Sequence, residues 1–166
     1  KDNNGIIMIT FFPAYGSTEA SASFKAGKRA IQEIKERSKT PEEIDVRVNA
    51  YFAANPPIRP SLSQVADHID HVRGLIGIDH IGIGADYDGM PPGPIGLEDA
   101  STYPALFSEL LRRGYSDQDV AKIAGENILR VMREAEAVAV KHQSQGEPSD
   151  VLIDEVDREL QDPPAS

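Results

Sequence analysis

The chain has no cysteine. That excludes disulfides, thiolate metal sites and cysteine nucleophiles, and leaves the compartment open. Positive charge is scarce: 17 Lys and Arg stand against 27 Asp and Glu, a formal charge of −10. Such a surface repels phosphate backbones and anionic lipid, so nucleic acid is not an expected partner. No apolar run approaches the roughly 20 residues of a membrane span. There is no G-x-S-x-G elbow, and "GIGADYDG" (82–89) lacks the spacing of a phosphate loop. The start, "KDNNGIIMITFFP", lacks the marks of a signal peptide. It reads as a chain entered in mid-fold, so localisation stays open.

What is present is one domain's length, 166 residues, about 40% apolar. "GIIMITFF" (5–12) is a continuous apolar run, as expected of a strand buried on both faces of a parallel sheet. Phe24, Ile31 and Ile34 recur at helical spacing between residues 20 and 37. "TPEE" (40–43) reads as a capping box opening a second helix to about Ala53. "SLSQ" (61–64) opens a third, with Leu62, Val65, Ile69, Val72 and Ile76 on one stripe and Gly77 near its end. "DHIGIGADYD" (79–88) is the second expected strand. Helices between two strands imply parallel pairing. A Pro/Gly loop, "MPPGPIGLEDAS", leads to helices over 102–114, from 116, and over 125–140. Residues 141–166 read as a weakly attached polar, acidic tail, with one possible helix around 150–160. Two strands cannot form a covered sheet alone, which points to part of something larger.

Asp86 closes the second strand. In barrels of alternating strands and helices, that end carries catalytic groups. Gly82 and Gly84 alternate with isoleucines, which would leave room near Asp86. The structural alternative is that Asp86 caps the turn, Asp88 starts it and Gly89 takes a positive φ. His68 and His71, beside Asp67 and Asp70, share a helix face, but a metal site needs three or four donors and the sequence supplies no third. They read as structural, as does His80, while His142 falls in the tail.

These residues carry a resemblance. "SQVADHIDHVRGLIGIDHIGIGADYDGM" followed by "GLEDASTYPALFSELLRRGYSDQDVAKIAGENILRV" resembles the C-terminal part of the membrane (renal) dipeptidase family of zinc metallopeptidases. The shared motifs are D-H-x-D-H, G-x-D-[YF]-D-G, G-L-E-D-x-S-x-Y-P, L-L-R-R-G and G-x-N-x-L-R-V. The resemblance covers roughly residues 1–140, with 18–58 as a helical insertion. It implies an α/β fold, the last two strands and their helices of a (β/α)8 TIM barrel. It also implies hydrolysis of dipeptides at two zinc ions bridged by a hydroxide, with Asp86 transferring protons; some members also open β-lactam rings. The family's His, Asp and Glu metal ligands match no motif here and are expected upstream of Lys1, as is its substrate-binding Arg. This segment alone is therefore expected to be inactive, with the N-terminal part of the barrel as its partner and a homodimer possible.

By the barrel rule the loops after the strands line the pocket, making Phe12, Tyr15, Tyr87 and Met90 candidate substrate walls. Alternatively these residues pack the barrel mouth. Two other readings stay open: a metal-free barrel relative acting as a binding or scaffold protein, and a small stand-alone α/β interaction domain of 18 kDa.

Overall fold

The computed structural model describes residues 2–146 and 152–153. The chain divides into two compact units, Lys1–Val131 and Met132–Ser166. The possible helix around 150–160 lies outside the described residues, apart from Leu152 and Ile153.

In the first unit, β1 (Ile7–Ile9) and β2 (Ile81–Ile83) pair in parallel, with Ile7 opposite Ile81, Met8 opposite Gly82 and Ile9 opposite Ile83. Both are shorter than the apolar runs that announced them. The expectation of a first strand buried on both faces does not hold among the described residues. Ile9 is buried, but Ile7 and Met8 are 47% and 40% exposed. The space expected beside Gly82 and Gly84 is also taken. A Cβ on Gly82 would stand 2.7 Å from Met8 Sδ, and one on Gly84 would stand 3.0 Å from Met8 Cβ. The glycines accommodate a neighbouring strand's side chain, one of the two uses of glycine inside a strand.

Between the strands lie α1 (Pro13–Gly16), α2 (Thr18–Arg37), α3 (Pro41–Ala54) and α4 (Leu62–Ile76). Ser17 caps α2 by accepting from the Ala20 N–H at 3.1 Å. Thr40 caps α3, but the expected capping box is displaced by one residue. The Glu43 carboxylate accepts from the N–H of Lys39, not of Thr40. The box at α4 is complete: Ser61 Oγ accepts from Gln64 N–H, and Gln64 Oε1 accepts from Ser61 N–H. Gly77 ends α4 at φ 92°, where a side chain would be strained.

After β2 come α5 (Tyr103–Arg112), α6 (Asp117–Ala121) and α7 (Asn127–Gln143). The core gathers Phe11, Val65, Ile69, Ile81, Leu97, Leu106, Leu110 and Ile123. Each fully buried side chain of this size contributes about 1.5–3 kcal/mol. The expected apolar stripe of α4 holds, with Val65 and Ile69 innermost. In the second unit the remainder of α7 exposes Met132, Val138 and Val140. Among the described residues, no helix is long and apolar enough to cross a membrane.

Candidate active site at the strand ends

The two strands run side by side beyond their regular cores. Gly84 N–H donates to Ile9 O at 3.0 Å, and Phe11 N–H donates to Ala85 O at 3.2 Å. These bonds carry the chain to Asp86 in fixed register, at the C-terminal end of β2. Asp86 then turns it, with φ 69° and ψ 29°. This left-handed conformation is uncommon for a residue with a side chain, and Asp is one of the few that tolerate it. The turn closes through Gly89 N–H to Asp86 O at 3.2 Å. The expectation that Gly89 would supply the positive φ is thus corrected, because Asp86 supplies it.

Asp86 is exposed, and among the described residues its carboxylate makes no hydrogen bond. It stands over Gly89, where a Cβ would approach Oδ1 to 2.7 Å. Asp88 is exposed in the same turn.

The four expected wall residues fall into two groups. Tyr87 and Met90, after β2, pack partly against the core. The Tyr87 ring meets Phe11 edge-on at 5.8 Å, and its hydroxyl donates to Asp99 O at 3.0 Å. Burial pushes the Tyr87 phenol above its ordinary pKa. Phe12 and Tyr15, after β1, turn toward α2. Phe12 stacks on Phe24 edge-on at 5.2 Å, and Tyr15 is 67% exposed. Phe11, which packs edge-on against both Tyr87 and Tyr103, was not singled out in the sequence; its only signal there was its place in the apolar run.

Sequence reading also missed a cavity of about 280 Å³ beside the strand ends. Its walls include Phe24, Ile31, Phe52, Ile58, Pro91 and Pro92. The loop after Asp86 is held by Arg59, whose guanidinium donates to Pro94 O and pairs with Glu98 at 3.2 Å. Glu98 also accepts from Gly96 N–H, which with Arg59 holds its carboxyl below the usual range.

Asp67 and Asp70, beside His68 and His71, are taken by Arg113. His80 Nδ1 lies 2.8 Å from Gly5 O, tying the opposite end of β2 to the chain before β1. Among the described residues, no three His, Asp or Glu side chains gather as a metal site would require. These residues do not fit a zinc centre by themselves.

Comparison with known proteins finds dipeptidases among the relatives of this chain. Dipeptidase tcpJ of Claviceps purpurea is 46% identical over 139 residues, 84% of this chain and 24% of its own length. Dipeptidase ataJ of Aspergillus terreus is 50% identical over 94 residues, 57% of this chain and 23% of its own length. The crystal structure of the probable dipeptidase PvdM from Pseudomonas aeruginosa superposes with a TM-score of 0.59 at 25% identity, covering 78% of this chain and 36% of that one. The chain thus spans about a quarter of the length of these curated relatives. The model of the membrane dipeptidase family (peptidase family M19) matches residues 1–146, and the chain belongs to that family.

Proposed function

We propose that this chain forms the last two strands and associated helices of a TIM-barrel dipeptidase, and that Asp86 is its proton-transfer group. The observation that carries the reading is the placement of Asp86. It is an exposed carboxylate without a hydrogen bond, held in a left-handed turn at the C-terminal end of a parallel strand. Family membership and the dipeptidases it resembles support peptide hydrolysis as the chemistry.

Hydrolysis of a dipeptide adds water to the carbonyl carbon and breaks the C–N bond. The departing nitrogen leaves as an amine only if it gains a proton. Asp86 takes a proton as the water oxygen bonds to carbon and returns it to the nitrogen as the C–N bond breaks. Zinc is the metal the family resemblance implies, and the reading assigns its donors to other parts of the enzyme. This segment then supplies proton transfer and part of the substrate walls.

The test is Asp86→Asn in the active enzyme. Asn tolerates the same backbone and removes only the charge. A fall in kcat of about 10²–10⁴-fold, with metal content and melting temperature unchanged, is expected. Full activity in that variant overturns the assignment.

A further inference from the structure

We infer that the cavity between α2, α3 and the loop after Asp86 is a specificity pocket for a large apolar side chain. That side chain belongs to the dipeptide residue whose nitrogen departs. The inference rests on the dipeptidase reading above and goes beyond it by naming what the enzyme selects.

The pocket is built, and its walls are tied to one another. Gly27 of α2 faces Phe52 of α3, and a Cβ there would come within 3.2 Å of the ring, so the two helices close tightly at that point. The strap at residues 55–60 is pinned to α2 by Ile58 N–H donating to Ser23 Oγ at 3.1 Å. Arg59 on the same strap grips the carbonyls of Gly93 and Pro94. One wall is thereby fixed to the loop that begins at Asp86.

The pocket also lies within reach of the reacting centre. Gly89 sits beneath the Asp86 carboxylate, and Pro91 of the pocket wall is two residues further on. Two extended residues span about 7 Å, which puts Pro91 within roughly 11 Å of the carboxylate. The nitrogen that Asp86 protonates is bonded to the α-carbon of the departing residue. The side chain of that residue begins two bonds from the nitrogen, against three for the other residue, so the neighbouring pocket is assigned to it.

Size and chemistry fit the same occupant. Pockets for whole small molecules run from roughly 300 to 1,000 Å³. At about 280 Å³ this cavity suits one large side chain. Aromatic rings, isoleucines and prolines offer a side chain apolar contact and favourable ring packing. The exposed Lys28 stands with its Nζ 5.9 Å from the Phe24 centroid. Its charge is of the right sign for the carboxylate of the same departing residue.

The experiment compares kcat/KM for Gly-Phe, Gly-Ala and Phe-Gly in the active enzyme and in two variants. Ile31→Trp fills the pocket and Phe52→Ala opens it. The expected result is a fall of about tenfold or more in the Gly-Phe to Gly-Ala ratio for Ile31→Trp. Phe52→Ala lowers the same ratio. Phe-Gly changes little in either variant. Should Ile31→Trp fail to fold, the ratio in Phe52→Ala decides. An unchanged ratio in active variants overturns the pocket assignment alone. No turnover of any dipeptide by the parent enzyme overturns the dipeptidase reading and the pocket with it.

Discussion

The Asp86 carboxylate rests over Gly89, with Oδ1 2.7 Å from where a Cβ on that glycine would stand. The absent side chain at 89 thus leaves room for the acid at 86. Gly89→Ala is expected to displace the carboxylate and lower kcat tenfold or more, since displacements of about 1 Å can cost 10²-fold. Folding stability should change little. Steady-state kinetics with a thermal melt checks both, and unaltered kcat would remove Gly89 from any positioning role.

Asp86 itself carries a backbone constraint at φ 69°. Asp86→Gly and Asp86→Asn are expected to fold with stability near that of the parent. Asp86→Val, β-branched and excluded from this region, should lose about 1–2 kcal/mol. Chemical denaturation of the three variants separates the backbone requirement from the proton-transfer one.

Arg113 ties the end of α5 to the start of α4. Its guanidinium reaches Glu109, Asp67 and Asp70 at 2.6–2.7 Å and also donates to Ser63. Its side chain is only 16% exposed. Arg113→Met leaves three carboxylates without this cation and should cost about 2 kcal/mol or more. Arg113→Lys should recover little, because an ammonium cannot reproduce the guanidinium fork. Equilibrium unfolding in urea reads both variants.

The same cluster predicts a pH dependence at both ends. Hydrogen bonds from Arg112 and then Arg113 hold the Glu109 carboxyl at about 2, below its ordinary value of 4.5. A lowered acid contributes stability above its unfolded pKa. That contribution should fade from about pH 4.5 downward and be lost as pH falls through about 2. Burial, with a hydrogen bond to Asp70, pushes the Tyr115 phenol up to about 12. Its contribution is present below about pH 10 and lost as pH rises through 12. Glu109→Gln should flatten the acid limb of the stability curve and Tyr115→Phe the alkaline limb.

Asn127 is buried at 4% exposure, and its Nδ2 donates to the carbonyls of Ile78 and Ile81 at 2.8 and 2.9 Å. It fixes the entry to β2 against the first turn of α7. Asn127→Leu orphans both carbonyls and should cost about 1–3 kcal/mol. A melting temperature equal to the parent's would show that those carbonyls find other donors.

Much of the architecture was legible because its causes are local. Ser61 with Gln64, Pro41 after Thr40, and Gly77 and Gly114 beyond their helices act through neighbours a few residues away. Strand–helix–strand order fixed parallel pairing, because two strands separated by helices return in the same direction. Asp86 could be placed at a strand end for the same reason. The family motifs, read in series, led to the dipeptidase assignment that the family match now carries.

Tertiary structure decided the rest, because the deciding partners lie far apart in sequence. Met8 fills the space beside Gly82 only because the register sets them opposite each other. Arg113 claims Asp67 and Asp70 across more than forty residues, so those acids never served the neighbouring histidines. The left-handed turn fell to Asp86 although a glycine stood three residues on, because the hydrogen bonds with the chain after β1 fix where the strand ends. The cavity exists only where α2, α3 and the loop after Asp86 converge. Local pattern settles which elements form and in what order; which side chains meet depends on long-range packing, to which a short window of sequence is blind.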